Sequence, residues 1–364
     1  MKLSPEQQFV TEILRSFVTG HTDVRPDKVP NLDGLDWSAI MAIVHFHNLL
    51  SLFYHEINYL GWKEILPSWF LQQLRQEFLQ NTALTMQYES LLGQMQEVLD
   101  GQSIPFIVLK GPSIAAEFYH PRAVRSYVDL DILIRRDDYS RVKEVLEDLN
   151  FYQPQAELED IQRQFFNCIN YRLHGEPQIA LDLQWDTLLV SWSDQSFLRG
   201  EHIWQNRRWL DFDGRLLPVL QPVSLVVYLC IHLAVHHQFG RLLSLCDLDL
   251  SIRRHVGEID WDGLVAMVRR MRICKPVSYS LKLAADLLAT PLPEGVLTEL
   301  KMPVLERYFL PLQTLAFKDK SLPKPFALLV KYMLIDCFSE RCRATKVYFQ
   351  KSKERIMVEK SGGS

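Results

Sequence analysis

Ile104–Leu149 reads IPFIVLKGPSIAAEFYHPRAVRSYVDLDILIRRDDYSRVKEVLEDL. It opens with an apolar run, Ile104 to Leu109, that predicts a buried strand. Lys110-Gly111-Pro112-Ser113 breaks that run. Gly111 permits a tight turn or a close backbone approach. Pro112 suits the first position of a helix, and Ser113 to Tyr119 continues in good helix formers. The reading is a strand, a glycine turn and a helix start, whose free N–H groups can hold a phosphate.

Tyr127 to Ile134 alternates, which predicts a second strand. Asp129 and Asp131 then share one face, and Leu130, Ile132 and Ile134 share the other, which enters the core. Aspartate is a poor strand former and neighbouring carboxylates repel. A strand that carries both either faces solvent or has a cation to place there, and carboxylate oxygens suit Mg²⁺. Gln178 to Trp185 alternates too. It sets Asp182 on a face with Ala180 and Gln184, and Ile179, Leu181 and Leu183 on the core face. As a neighbouring strand it would complete a three-carboxylate cluster; as an edge strand it would only expose an acid.

Gly111, Asp129-Leu130-Asp131 and Asp182 together resemble the DNA polymerase β-like nucleotidyltransferase superfamily. Leu109-Lys110-Gly111, Tyr119-x-Pro121, Arg125, Asp129 to Ile134 and Leu181-Asp182-Leu183-Gln184-Trp185 look more closely like the bacterial group called nucleotidyltransferase family 5. His232-Leu233, His236, Arg241-Leu242 and Asp247-Leu248 resemble that group's helical pattern. The resemblance covers about residues 100 to 255. Two departures stand out: Pro112 separates Gly111 from Ser113, and Gln184 stands where close relatives often have His.

The resemblance implies an α+β fold, a small mixed-sheet core flanked by N-terminal and C-terminal helical regions. It implies transfer of an NMP, AMP from ATP by default, to an acceptor with release of pyrophosphate. Asp129, Asp131 and Asp182 would be the catalytic and metal-binding residues. Asp129 and Asp131 would hold one Mg²⁺ (or Mn²⁺) with the β- and γ-phosphates, and Asp182 would join a second ion that activates the acceptor. Lys110, Gly111, Ser113, Arg125, His232, His236 and Arg241 would bind the nucleotide, and Asp247 would orient Arg241 or cap a helix contact. A rival of another class is a decayed core serving as a nucleotide-binding or protein-interaction scaffold. A kinase would want an HxD with Asn five residues on, a spacing the sequence lacks.

The chain has 364 residues, 48% hydrophobic and 23% charged, with a formal net charge of −4. That balance is ordinary for a globular protein and argues against a large nucleic acid as partner. The acceptor is left open among a small molecule, peptide, protein or tRNA. Six cysteines form no CxxC pair, which argues against a zinc ribbon. The start lacks a signal-peptide core, and Leu217 to Val235 is interrupted by two prolines, Gln221 and His232, so a cytoplasmic protein without a membrane span is expected.

Four segments are expected: helices over 1–100, the α/β core over 101–190, helices over 191–344 and a basic, disordered tail over 345–364. Within them the patterns predict helices from Pro5, from Trp37 and from Pro67 to Leu99. Asp137-Asp138 should cap a helix to Leu149, and Phe151-Tyr152 should begin a strand. Phe165–Leu173 and Ile179–Trp185 should form a hairpin. Short strands are expected near Trp204-Gln205 and Leu216–Leu220, then a helix over Ser224–Gln238.

Overall fold

Seven strands form one mixed sheet: β1 (Phe106–Lys110), β2 (Asp129–Ile134), β3 (Phe151–Tyr152), β4 (Cys168–Leu173), β5 (Ala180–Gln184), β6 (Arg208–Phe212) and β7 (Arg215–Val219). Their order across the sheet is β3-β4-β5-β2-β1-β7-β6. The structure is a computed structural model and describes residues 3–20, 32–186, 200–300, 312–318, 320–337 and 339–346. The α+β architecture expected from the sequence is what it shows.

The chain divides into two units, each assembled from separate stretches. The sheet lies wholly in the unit made of Leu84–Glu117, Tyr127–Leu225 and the described residues from 335 on. Leu130, Ile132 and Ile134 of β2 and Leu181 and Leu183 of β5 are almost fully buried in one apolar cluster. Tyr88, Leu92, Met95 and Leu99 of the helix Ser68–Gly101 belong to the same cluster. The period of two therefore sorts these strands as the sequence predicts: apolar residues against the helix, carboxylates on the opposite face.

β2 lies parallel to β5 and antiparallel to β1, and β4 is antiparallel to β5. A register shift between Val108 and Lys110 has a consequence for the site. Val108 pairs with Ile132, but Lys110 pairs with Asp131 rather than Leu130. Regular alternation would send Lys110 toward the core with Val108. The bulge turns it onto the carboxylate face instead.

Some local expectations need correction. Glu159–Phe165 is a helix, so the hairpin's first strand begins at Cys168. Among the described residues its apolar cluster is Leu158 and Ile161 with Phe166 packed against them, too small to show a helical period. Glu201–Gln205 is a short helix rather than a strand, and the strand follows at Arg208–Phe212. Ile203 and Trp204, buried side by side, read like a strand because five residues are too short to show a period of 3.6. The helix at Tyr139–Asp148 has no side-chain cap, and Asp138 pairs with Arg141 at 3.1 Å instead. Residues 301–311 of the expected helical segment 191–344, and most of the expected tail, lie outside the described residues.

The other unit comprises the described residues of Met1–Ala83, Phe118–Ser126 and Val226–Leu334 and is helical. Pro5–Val18 starts on a capping box, Ser4 with Gln7. Asp36 caps Trp37–Phe46 through Ser38 and Ala39. At its centre Arg125 donates from Nε to Asp247 Oδ1 at 2.8 Å and from a terminal nitrogen to Oδ2 at 2.7 Å. Tyr119 donates to Asp247 Oδ1 at 2.8 Å, and all three residues are buried. Asp247 thus takes up Arg125, and not Arg241 as the sequence suggested. The expected helix Ser224–Gln238 is α-helical over Pro222–Ile231 and turns π-helical over His232–His236.

Candidate active site

Lys110, Asp131, Asp182 and Asn170 stand in one row across β1, β2, β5 and β4, because the register pairs each with the next. Asp129 precedes Asp131 by one pleat on the same face. One carboxylate oxygen from each of Asp129, Asp131 and Asp182 lies within 4.8 Å of the other two. Lys110 Nζ lies 3.2 Å from Asp129 Oδ1 and also pairs with Asp131 Oδ2. Gln184 donates to Asp131 Oδ1 at 2.6 Å, and Asn170 to Asp182 Oδ1 at 2.5 Å.

The carboxylates differ in environment. The Asp131 side chain is 1% exposed and that of Asp129 27%. Burial pushes the Asp131 carboxyl well above the ordinary aspartate range; Lys110 opposes this, while Asp129 and Asp182 add to it. Burial and then Asp129 raise Asp182 also. The thiol of Cys168, opposite Gln184, is pushed up by burial and by the same carboxylates, so it is no thiolate donor.

These residues fit a hard divalent cation. The available donors are oxygens, which suit Mg²⁺ or Mn²⁺ better than zinc. Three carboxylates and one ammonium carry −3 + 1 = −2 when all are ionised, which one divalent ion balances with Lys110 retained. Lys110 already serves as the cluster's internal counter-ion.

Gly111 supports this row. Its φ is +74°, and a Cβ there would stand 3.2 Å from the Asp129 carbonyl oxygen. Both the backbone and the approach to β2 demand glycine. Gly111→Ala is expected to cost about 1–2 kcal/mol in backbone conformation and to push the start of β2 away. A lower melting temperature together with weaker Mg²⁺ binding, read by calorimetry, is the expected result; unaltered Mg²⁺ affinity would contradict it. Ser113 lies in the short helix that follows, Pro112–Phe118, and is buried.

The remaining residues read from the sequence lie in the helical unit. Arg125 is held by Asp247 as described. His232 is buried and stacks on His236 with ring centroids 4.7 Å apart and on Tyr228 at 5.9 Å. Arg241 immediately precedes Leu242–Arg254 without a side-chain cap bond, donates to the Phe46 carbonyl and stands 5.3 Å over the Phe46 ring. Lys318 and His47 belong to the same neighbourhood. Burial, then Arg241, lowers Lys318 to about 8, and burial, Arg241 and Lys318 lower His47 to about 3. Sequence reasoning missed Asn170 and Gln184 as partners of the carboxylates. The strand alternation that placed Asp182 carried that signal.

A mixed sheet that gathers three aspartates beside a glycine turn can hold a divalent cation for chemistry on phosphates. Residues 33–289, more than half of the chain, match the model of a family described as uncharacterised nucleotidyltransferase, and the chain belongs to that family. Searches of curated proteins and of solved structures found no match. Among the described residues no helix is long and apolar enough to cross a membrane.

Proposed function

We propose that the chain transfers a nucleoside monophosphate from an NTP, ATP by analogy with the resemblance, to an acceptor and releases pyrophosphate. The observation that carries this reading is the convergence of Asp129, Asp131 and Asp182 in a nucleotidyltransferase-family chain. Asp129 and Asp131 would hold Mg²⁺ or Mn²⁺ with the donor's phosphates, and Asp182 would complete the set. The bound cation would supply charge neutralisation on the oxygens around the α-phosphorus.

The chain's own groups have separate tasks. Lys110 holds Asp129 and Asp131 together in the free protein and offers an ammonium to phosphate oxygens. Gly111 keeps its turn tight enough for the backbone to approach them. Asp182 accepts from Asn170 through Oδ1, and its carboxylate would face the acceptor, where the ionised form can serve as base. In the helical unit, burial and the neighbouring charge of Arg241 disfavour the charged forms of Lys318 and His47. Arg125, already taken up by Asp247, is better read as a framework residue.

Incubation with Mg²⁺ and α-labelled NTPs tests the reading. Pyrophosphate release with label leaving the NTP supports it. ADP formed from ATP would mark γ-phosphoryl transfer, and binding without turnover would mark the scaffold alternative.

The pH dependence follows from the directions above. Asp131 and Asp182 are raised in the fold, so their acid forms are favoured there. Without a cation, their contribution to stability is present at low pH and lost as pH climbs past the ordinary aspartate range. A cation binds only the ionised forms, so stabilisation by Mg²⁺ should grow over the same interval. Melting curves with and without Mg²⁺ measure this difference, and buried Glu56, pushed up to about 7, cancels from it. A Mg²⁺ effect independent of pH would contradict the assignment.

A further inference from the structure

Arg172 lies on β4 and shares the carboxylate face. It pairs in register with Ala180 on β5, which pairs with Asp129 on β2, and with Tyr152 on β3. Asn170, the next residue on that face, binds Asp182. Arg172 therefore stands one pleat beyond the Asn170–Asp182–Asp131–Lys110 row. It is separated from Asp129 by two strand spacings, roughly 10 Å, with only the methyl group of Ala180 between them.

The guanidinium is half-buried and makes no hydrogen bond or ion pair among the described residues. Its charge is felt at Asp182 and at Tyr88. An arginine fixed on a strand beside three carboxylates, yet paired with none, has its forked donors available for another anion. On β3, paired in register with Arg172, Tyr152 stacks on His174 with centroids 4.2 Å apart.

The order of the strands decides which anion this is. Lys110 and the Gly111 turn, where the donor's phosphates belong in the proposed reaction, are on β1, beyond Asp131. Arg172 is on β4, beyond Asp182, the carboxylate that faces the acceptor. The two cationic groups stand on opposite sides of the carboxylates, on β1 and on β4. We propose that Arg172 receives an anionic group, phosphate or carboxylate, of the acceptor, whose hydroxyl lies at Asp182. The acceptor class is then a hydroxyl compound that bears an anion within roughly 7 Å, one pleat repeat, of the reacting oxygen. This assignment rests on the nucleotidyl-transfer reading for the identity of the acceptor end, but anion binding at Arg172 is measurable without it.

The test is calorimetric titration of inorganic phosphate into wild type, Arg172→Gln and Arg172→Lys. Each is run with Mg²⁺ alone and with Mg²⁺ plus saturating α,β-methylene-ATP. The expected result is phosphate binding to wild type that survives the analogue, falls about tenfold or more in Arg172→Gln, and is partly restored in Arg172→Lys. The analogue should bind Arg172→Gln as it binds wild type. Three results would overturn the proposal. Phosphate binding could be absent or indifferent to Arg172. The analogue could compete with phosphate, or be weakened by Arg172→Gln, placing the arginine at the donor end. Mg²⁺ affinity could shift as much as phosphate affinity, leaving Arg172 as background charge for the carboxylates. An analogue that fails to bind wild type, beside Arg172-dependent phosphate binding, would sink the nucleotidyl-transfer reading and leave an anion site at Arg172.

Discussion

Asp131→Asn is expected to abolish magnesium-dependent turnover, by about three orders of magnitude or more, while leaving the melting temperature close to that of wild type. The two halves of this result have different causes. Asparagine keeps the shape and can still accept from Gln184 through its side-chain oxygen. It removes a charge that burial and the neighbouring carboxylates disfavour, and Lys110 retains Asp129 as its partner. What is lost is the central anionic donor of the cluster, which lies in register with both Lys110 and Asp182. Pyrophosphate release and thermal melting on one preparation check both halves. Equal losses in stability and turnover would mean that Asp131 serves the fold; unchanged turnover would remove it from the chemistry.

Arg125→Leu is expected to behave in the opposite way, with a large loss of stability. Removing the guanidinium leaves Asp247, 1% exposed, with Tyr119 as the one remaining donor of this group. Breaking a buried pair from one side typically costs about 3–5 kcal/mol, roughly 10 °C in the melting of the helical unit. The partner change Asp247→Leu strands the arginine instead. The double variant should therefore melt well above the sum of the single losses, because each single change leaves one buried charge uncompensated. Additive losses would show that the pair is not coupled. A near-native melting curve for Arg125→Leu with weakened nucleotide binding would return Arg125 to the nucleotide.

The contrast shows what was legible in the sequence. Alternation placed Asp129 and Asp131 on one strand face and Asp182 on the polar face of its own strand because a period of two needs no knowledge of neighbours, and Leu130, Ile132 and Leu181 entered the core for the same reason; that the two strands lie side by side comes from the sheet order. The positive φ of Gly111 was legible as glycine between a strand and a helix. The facing of Lys110 was not, since it depends on a register shift against β2 that no local pattern announces. The pairing of Arg125 with Asp247, 122 positions apart, is equally invisible to local reasoning. Alternation sets Gln184 on the face of Asp182, but its bond to Asp131, like that of Asn170 to Asp182, comes from the order in which the strands were brought together. The place of Arg172, one pleat from the Asp182 row, likewise follows only from that order.

The measurement that bears most directly on the central claim is calorimetric titration of Mg²⁺ with each of the four NTPs into wild type and into an Asp129→Asn/Asp131→Asn double variant. The account predicts magnesium-dependent binding of at least one NTP to wild type and its loss in the double variant, with the fold intact by melting. NTP binding that is absent from wild type, or unchanged in the double variant, would contradict it and favour a scaffold with a decayed core.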